Sequence, residues 1–243
     1  MKSGLFATQI NRIVEIASKI SIFSEKGSGE IPFSGSELSN WSYEEFWKEA
    51  IINYWFDIKF EDDSFLIFQE NTPAHGDYRF IFYECPYVPK ISFEEFRCSF
   101  DDEYTDCPGM LEEEYESIIT PKKESVTPIR YEYCEKDFTP SIHPVSHFHF
   151  GSNSEMRVGS FHRITPLAFF FFVIRQCYPD LWDRCVLKNE QMTTQAKDVF
   201  REMKFLNKKF LGEHLLLEFY LKNGQTMSSD KLQPVSKSSR HRR

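Results

Sequence analysis

Ile129-Arg130-Tyr131-Glu132-Tyr133 and Ser146-His147-Phe148-His149-Phe150-Gly151 are the two stretches on which the fold turns. Each alternates a charged or imidazole side chain with an apolar or aromatic one. A period of two is the mark of a strand with one buried face. The alternation puts Arg130 and Glu132 on one face of the first strand and Tyr131 and Tyr133 on the other. In the second it puts His147 and His149 together and sends Phe148 and Phe150 to the core side. Gly151 ends that strand and lets the backbone bend or a ligand approach.

Working outward, other strands are expected at Asp63 to Gln69 and Asp77 to Tyr83, separated by the turn residues Asn71 to Gly76, and at Met156 to Ser160 and His214 to Leu221. The His strand is expected to run from Val145 to Ser152. Helices bracket these strands. Leu5 to Phe23 carries Ile10, Ile13, Val14, Ala17 and Ile20 on one face. Ser42 and Glu45 have the spacing of a capping box ahead of a second helix, as do Ser92 and Glu95 ahead of a short one. Leu111 to Ile119 has the composition of an acidic helix. Thr165-Pro166 supplies an N-cap and a first-turn proline to a helix over Leu167 to Tyr178, apolar nearly all round and ended by Pro179. A further helix is expected over Thr194 to Lys209. Strands cluster instead of alternating with helices, so the expectation is α+β: a central antiparallel or mixed sheet packed with N-terminal and C-terminal helices. Residues 1–222 are expected to form a single domain. Residues 223–243 are Ser-rich and basic and are expected to be a disordered tail.

Composition bounds the function. Of 243 residues, 41% are hydrophobic and 25 are Phe, which points to a core dominated by aromatics. The longest apolar run, Leu167 to Ile174, is far short of the ~20 residues that cross a bilayer. The start of the chain is amphipathic and lacks a signal-peptide cleavage site. The six Cys form no C-x-x-C pair, so neither a zinc ribbon nor a thioredoxin-like site is indicated, and reduced, mostly buried thiols are expected. Together these readings place the protein in the cytoplasm, with no membrane. The net charge is −8, and residues 92–119 hold ten acidic residues against one Arg. Such a surface does not draw nucleic acid by bulk electrostatics, though a local basic cleft would; it suits docking to a basic protein partner.

Four of the seven histidines lie between His143 and His162. Two imidazoles about 7 Å apart on one strand face suit a divalent metal, a phosphate or an acid–base pair. Catalytic candidates are therefore His147, His149 and Glu132, with Glu132 orienting an imidazole or ligating a metal beside them. Arg130 and Arg157, with Ser146 and Gly151, are the substrate-binding candidates, the arginines for phosphate or carboxylate. A cross-strand ion pair would equally explain Arg130 and Glu132. Known histidine motifs narrow the chemistry mainly by exclusion. The cupin spacing to a following Glu is not met by Glu155. The histidine-triad alternation fails at Gly151. The two-histidine phosphodiesterases need His-x-Ser/Thr twice, and zincin, Walker, G-x-S-x-G and G-x-G-x-x-G patterns are absent.

Pro128 to Tyr133, His143-Pro144-Val145-Ser146-His147-Phe148-His149-Phe150-Gly151, Met156-Arg157-Val158 and Ile164-Thr165-Pro166-Leu167 with the helix to Tyr178 resemble, in order and spacing, an uncharacterised bacterial family known as a domain of unknown function. Its hallmark is an Arg-Tyr-Asp-Tyr-like strand, an H-P-x-S-H-x-H-x-G segment and a Thr-Pro helix. Glu132 stands where that pattern has Asp, which keeps the carboxylate. The resemblance implies a stand-alone bacterial cytoplasmic protein and brings no activity. Three functional expectations follow, the last of them a metal-binding module without catalysis. One is a nuclease or phosphodiesterase acting on nucleic acid or nucleotide through the paired histidines, in a toxin-like or phage-defence role. Another is a non-catalytic, immunity- or antitoxin-like protein that docks a partner through residues 92–119.

Overall fold

The structure, a computed structural model, describes residues 4–32, 41–72, 77–88, 121–139, 142–151, 157–207, 210 and 216–217. The two deciding stretches are neighbouring strands in the middle of an eight-stranded sheet. Its strands are β1 (Phe23–Lys26), β2 (Ile58–Phe60), β3 (Phe65–Thr72), β4 (Asp77–Tyr83), β5 (Ile129–Tyr133), β6 (Ser146–Phe150), β7 (Val158–Ser160) and β10 (Leu216–Leu217). They lie in that order. Every neighbouring pair is antiparallel except β10, which joins β7 in parallel. The sheet is therefore mixed, and with its helices the fold is α+β. Two short strands, β8 (His162–Arg163) and β9 (Lys204–Phe205), pair separately.

Helix α1 (Gly4–Lys19) buries Ile10, Ile13, Ile16 and Ala17. It ends four residues before the expected limit at Phe23, because that residue begins β1 and pairs with Phe60. Helix α2 (Tyr43–Ile52) starts on the expected capping box: Ser42 accepts from the Glu45 backbone N–H, and Glu45 accepts from that of Ser42. Helix α3 (Pro166–Cys177) is capped by Thr165 and buries every residue from Pro166 to Ile174. It ends at Cys177, ahead of Pro179 as expected. The chain turns through a single helical turn, α4 (Pro179–Leu181), into a π-helical stretch over Trp182–Leu187 that sequence reading did not anticipate. Helix α5 (Glu190–Glu202) starts four residues before the expected Thr194, on the Asn189 cap, and stops where β9 takes over.

Two apolar clusters cover opposite faces of the sheet. On one, Phe68, Phe80, Tyr131 and Phe148 pack beneath α1 and α3, and the ring of Phe169 lies 6.3 Å from that of Phe68, 5.7 Å from Phe80 and 6.4 Å from Phe148. On the other, Phe46, Trp47 and Ala50 of α2 close over Phe65 and Ile67 of β3. The second face thus is apolar at β3 and becomes polar toward β5 and β6. Cys85 is buried as expected, whereas Cys134, Cys177 and Cys185 are only half-buried, and all four are free thiols. No helix among the described residues is long and apolar enough to cross a membrane. The expected helices at 92–99 and 111–119, the acidic docking region as a whole and the 223–243 tail lie outside the described residues.

Candidate functional site

The pairing register builds the site. Across β5 and β6, Glu132 faces His147 and Arg130 faces His149. Across β4 and β5, Arg79 faces Glu132. Across β6 and β7, Gly159 faces His147. Directly opposed residues share a face, so Arg79, Glu132, His147 and Gly159 form one row across four strands. Gly159, itself buried, contributes no side chain to that row.

The imidazoles stand closer than strand spacing alone implies. The ring centroids of His147 and His149 are 4.8 Å apart, and His143 meets His147 edge-on at 4.7 Å. His147 is fully buried and His149 is 3% exposed. His147 Nδ1 lies 2.8 Å from the Pro144 carbonyl oxygen, which can only accept; Nδ1 therefore carries the proton and Nε2 the lone pair. Among the described residues that Nε2 has no hydrogen-bond partner, and neither has His149 Nδ1 or His143 Nδ1. An unsatisfied buried polar atom costs about 1–3 kcal/mol. Two or three in one place are a burden that folding does not require.

Glu132 sits at the centre. Its Oε1 accepts a hydrogen bond from Arg79 Nε at 3.0 Å. Arg130 Nε lies 2.8 Å from the same oxygen, but its N–H is not aimed at it, so that contact is an ion pair and not a directed hydrogen bond. Oε2 lies 3.8 Å from His147 Nε2, too far for a hydrogen bond. Burial pushes the Glu132 carboxyl up, and Arg79 and Arg130 outweigh it, leaving the group below its ordinary range and ionised. Burial pushes both imidazoles down to about 4; the neighbouring His149 adds to this at His147, and the Arg130 and Arg157 charges add to it at His149. Both rings are neutral at pH 7, with lone pairs available.

Side-chain exposure rises from nothing at His147 to 20% at Glu132, 30% at Arg130 and 41% at Arg79. The guanidinium edge therefore meets solvent and the imidazoles form the floor. Arg157 is exposed and close enough for its charge to oppose protonation of His149.

Of the sequence-derived candidates, Glu132, Arg130, His147 and His149 come together on this face, with Arg157 in electrostatic range. Ser146 does not. It belongs to the opposite face, fully buried, where its hydroxyl donates to the His162 carbonyl at 2.7 Å and lies 3.1 Å from the Tyr131 hydroxyl. The same alternation that unites the histidines sends Ser146 to the core side, so substrate binding is not its place. Gly151 has φ +76°, a conformation that favours glycine, and its N–H donates to the Pro128 carbonyl. It turns the chain out of β6. Sequence reading missed Arg79. Its place in Asp77-Tyr-Arg-Phe-Ile-Phe-Tyr83, out of step with Phe80 and Phe82, puts it on the polar face. Only the pairing of β4 with the distant β5 brings it to Glu132.

Glu132, His147 and His149 each offer a ligand atom, and these atoms all lie within 4.8 Å of one another. A family profile described as an uncharacterized conserved protein (DUF2290) matches residues 14–217. No curated protein and no solved structure matches the chain.

Proposed function

Because the chain belongs to the DUF2290 family, whose description assigns no reaction, we propose from the site's chemistry that the protein hydrolyses phosphodiester bonds in a nucleotide or nucleic acid. The observation that carries this reading is the composition of one sheet face: three guanidinium groups and two neutral imidazoles around a single ionised carboxylate. On a chain with net charge −8, that is a local concentration of positive charge. Guanidinium forks match phosphate oxygens in pairs and stabilise the charge that builds on them during displacement. Arg79 and Arg130 form the edge that receives the phosphate, and Arg157 extends it. The imidazoles behind supply electron pairs where a water would attack, either taking its proton or holding a cation that acidifies it.

The test is turnover of bis(p-nitrophenyl) phosphate and of single-stranded RNA and DNA. The double variant His147→Asn/His149→Asn is expected to lose roughly 10²–10⁴-fold in turnover. Arg130→Ala is expected to raise KM more than it lowers kcat. Wild-type protein inactive on all three substrates, with added divalent metals, would contradict the reading.

A further inference from the structure

We propose that Glu132, His147 and His149 are the protein ligands of a single divalent first-row transition-metal ion. This deepens the hydrolase reading but does not depend on the reaction, because metal binding has its own readout.

Four independent features of the site converge on a cation. The three ligand atoms lie within 4.8 Å of one another. An ion bound tetrahedrally at about 2.1 Å would set its ligands about 3.4 Å apart, so the 3.8 Å between Glu132 Oε2 and His147 Nε2 closes slightly on binding, and the wider separations, up to 4.8 Å, close by side-chain rotation. The hydrogen bond from His147 Nδ1 to the Pro144 carbonyl turns the lone pair of Nε2 toward Glu132. Metal-ligating histidines are commonly oriented in this way, by a carbonyl accepting from the other ring nitrogen. That Nε2 is buried in a fully buried side chain with no partner among the described residues, so a group that accepts its lone pair satisfies it. Finally, Glu132 is divided between two tasks. Arg79 and Arg130 hold Oε1, which fixes the carboxylate and leaves Oε2 facing the imidazoles.

The donor set selects the ion. Two imidazole nitrogens and one carboxylate oxygen suit Zn²⁺, Co²⁺, Mn²⁺, Fe²⁺ or Ni²⁺; Mg²⁺ and Ca²⁺ prefer all-oxygen cages. Three protein ligands leave coordination positions for water or substrate, the arrangement of catalytic sites and not of closed structural ones. The flanking guanidiniums oppose a bare cation. An anion bound between metal and arginines relieves that repulsion, so phosphate is expected to tighten metal binding, and metal to tighten phosphate binding by the same factor.

The experiment is titration of the full-length, chelator-stripped protein with Co²⁺, followed by visible absorption, with Zn²⁺ competition and thermal melts in parallel. The expected result is one ion per chain, displaced by Zn²⁺, and a melting temperature that rises with Zn²⁺ as binding to the folded state requires. Glu132→Gln, His147→Gln and His149→Gln are each expected to weaken Co²⁺ binding by roughly 100-fold or more, and inorganic phosphate to strengthen it in the wild type. The wild-type titration stands even if a variant fails to fold. No uptake by wild type, or uptake that survives all three folded variants unchanged, overturns the proposal. Stoichiometric uptake without phosphodiester turnover keeps the metal site and removes the hydrolase reading. Full turnover in excess chelator, without uptake, does the reverse.

Discussion

The two faces of β5 and β6 are built from alternating residues of the same two strands and differ sharply in character. On one, Tyr131, Phe148 and Phe150 pack against each other and against α3, and the polar groups are satisfied: Ser146 donates to the His162 carbonyl and lies beside the Tyr131 hydroxyl, which accepts from the Ile164 N–H. On the other, buried imidazoles stand beside one another with nitrogens unpartnered among the described residues, and a carboxylate is shared by two arginines. The first face lowers the free energy of the fold. The second adds local cost, and a site that must bind something carries such costs. Because strand and register are common to both, substitutions on either face compare directly.

The largest contrast is expected in stability. Phe148→Ala empties a fully buried ring position against Phe169 and Phe172 and is expected to cost about 3–5 kcal/mol in chemical denaturation. His147→Asn/His149→Asn is expected to cost much less, because Asn can keep the donor that His147 Nδ1 presents to the Pro144 carbonyl while removing the unpartnered Nε2. Equal losses would erase the distinction between the faces. Next in size is Ser146→Ala, which strips a hydrogen bond from the His162 carbonyl and a neighbour from Tyr131. A loss of about 1–2 kcal/mol is expected, with turnover per folded molecule unchanged; a specific loss of turnover would return Ser146 to the site. Smaller again is a pH effect in the chelator-treated protein. The folded imidazoles sit near about 4 and unfolded histidine near about 6.5, so between these values the unfolded chain binds more protons. Stability is therefore present above about pH 6.5 and falls as the pH drops toward 4. The melting temperature of wild type should fall more steeply over that range than that of the double Asn variant, and parallel curves would contradict the burial of both rings.

Alternation made much of this legible in advance. Arg130 with Glu132 and His147 with His149 could be assigned to common faces from a period of two, and the capping residues Ser42 and Thr165 placed two helix starts correctly. Pairing between distant strands was not legible. Nothing local in Asp77 to Tyr83 says that it lies beside β5, so Arg79 escaped notice, and β2 was too short to show a pattern. Ser146 was misjudged for a different reason: its neighbours drew it into the site, although the parity of the strand excluded it. The ends of α1 and α5 were overrun because helical periodicity continues into residues that sheet pairing claims.

On the proposed reading, the polar face of β5 and β6 serves binding and chemistry and not folding. Its most direct test is one paired measurement on His147→Asn/His149→Asn: unfolding free energy and Co²⁺ affinity on the same preparation. The expected result is stability close to wild type with metal binding abolished. A variant that unfolds readily, beside a wild type that binds no metal, would make the histidines part of the core and contradict that reading.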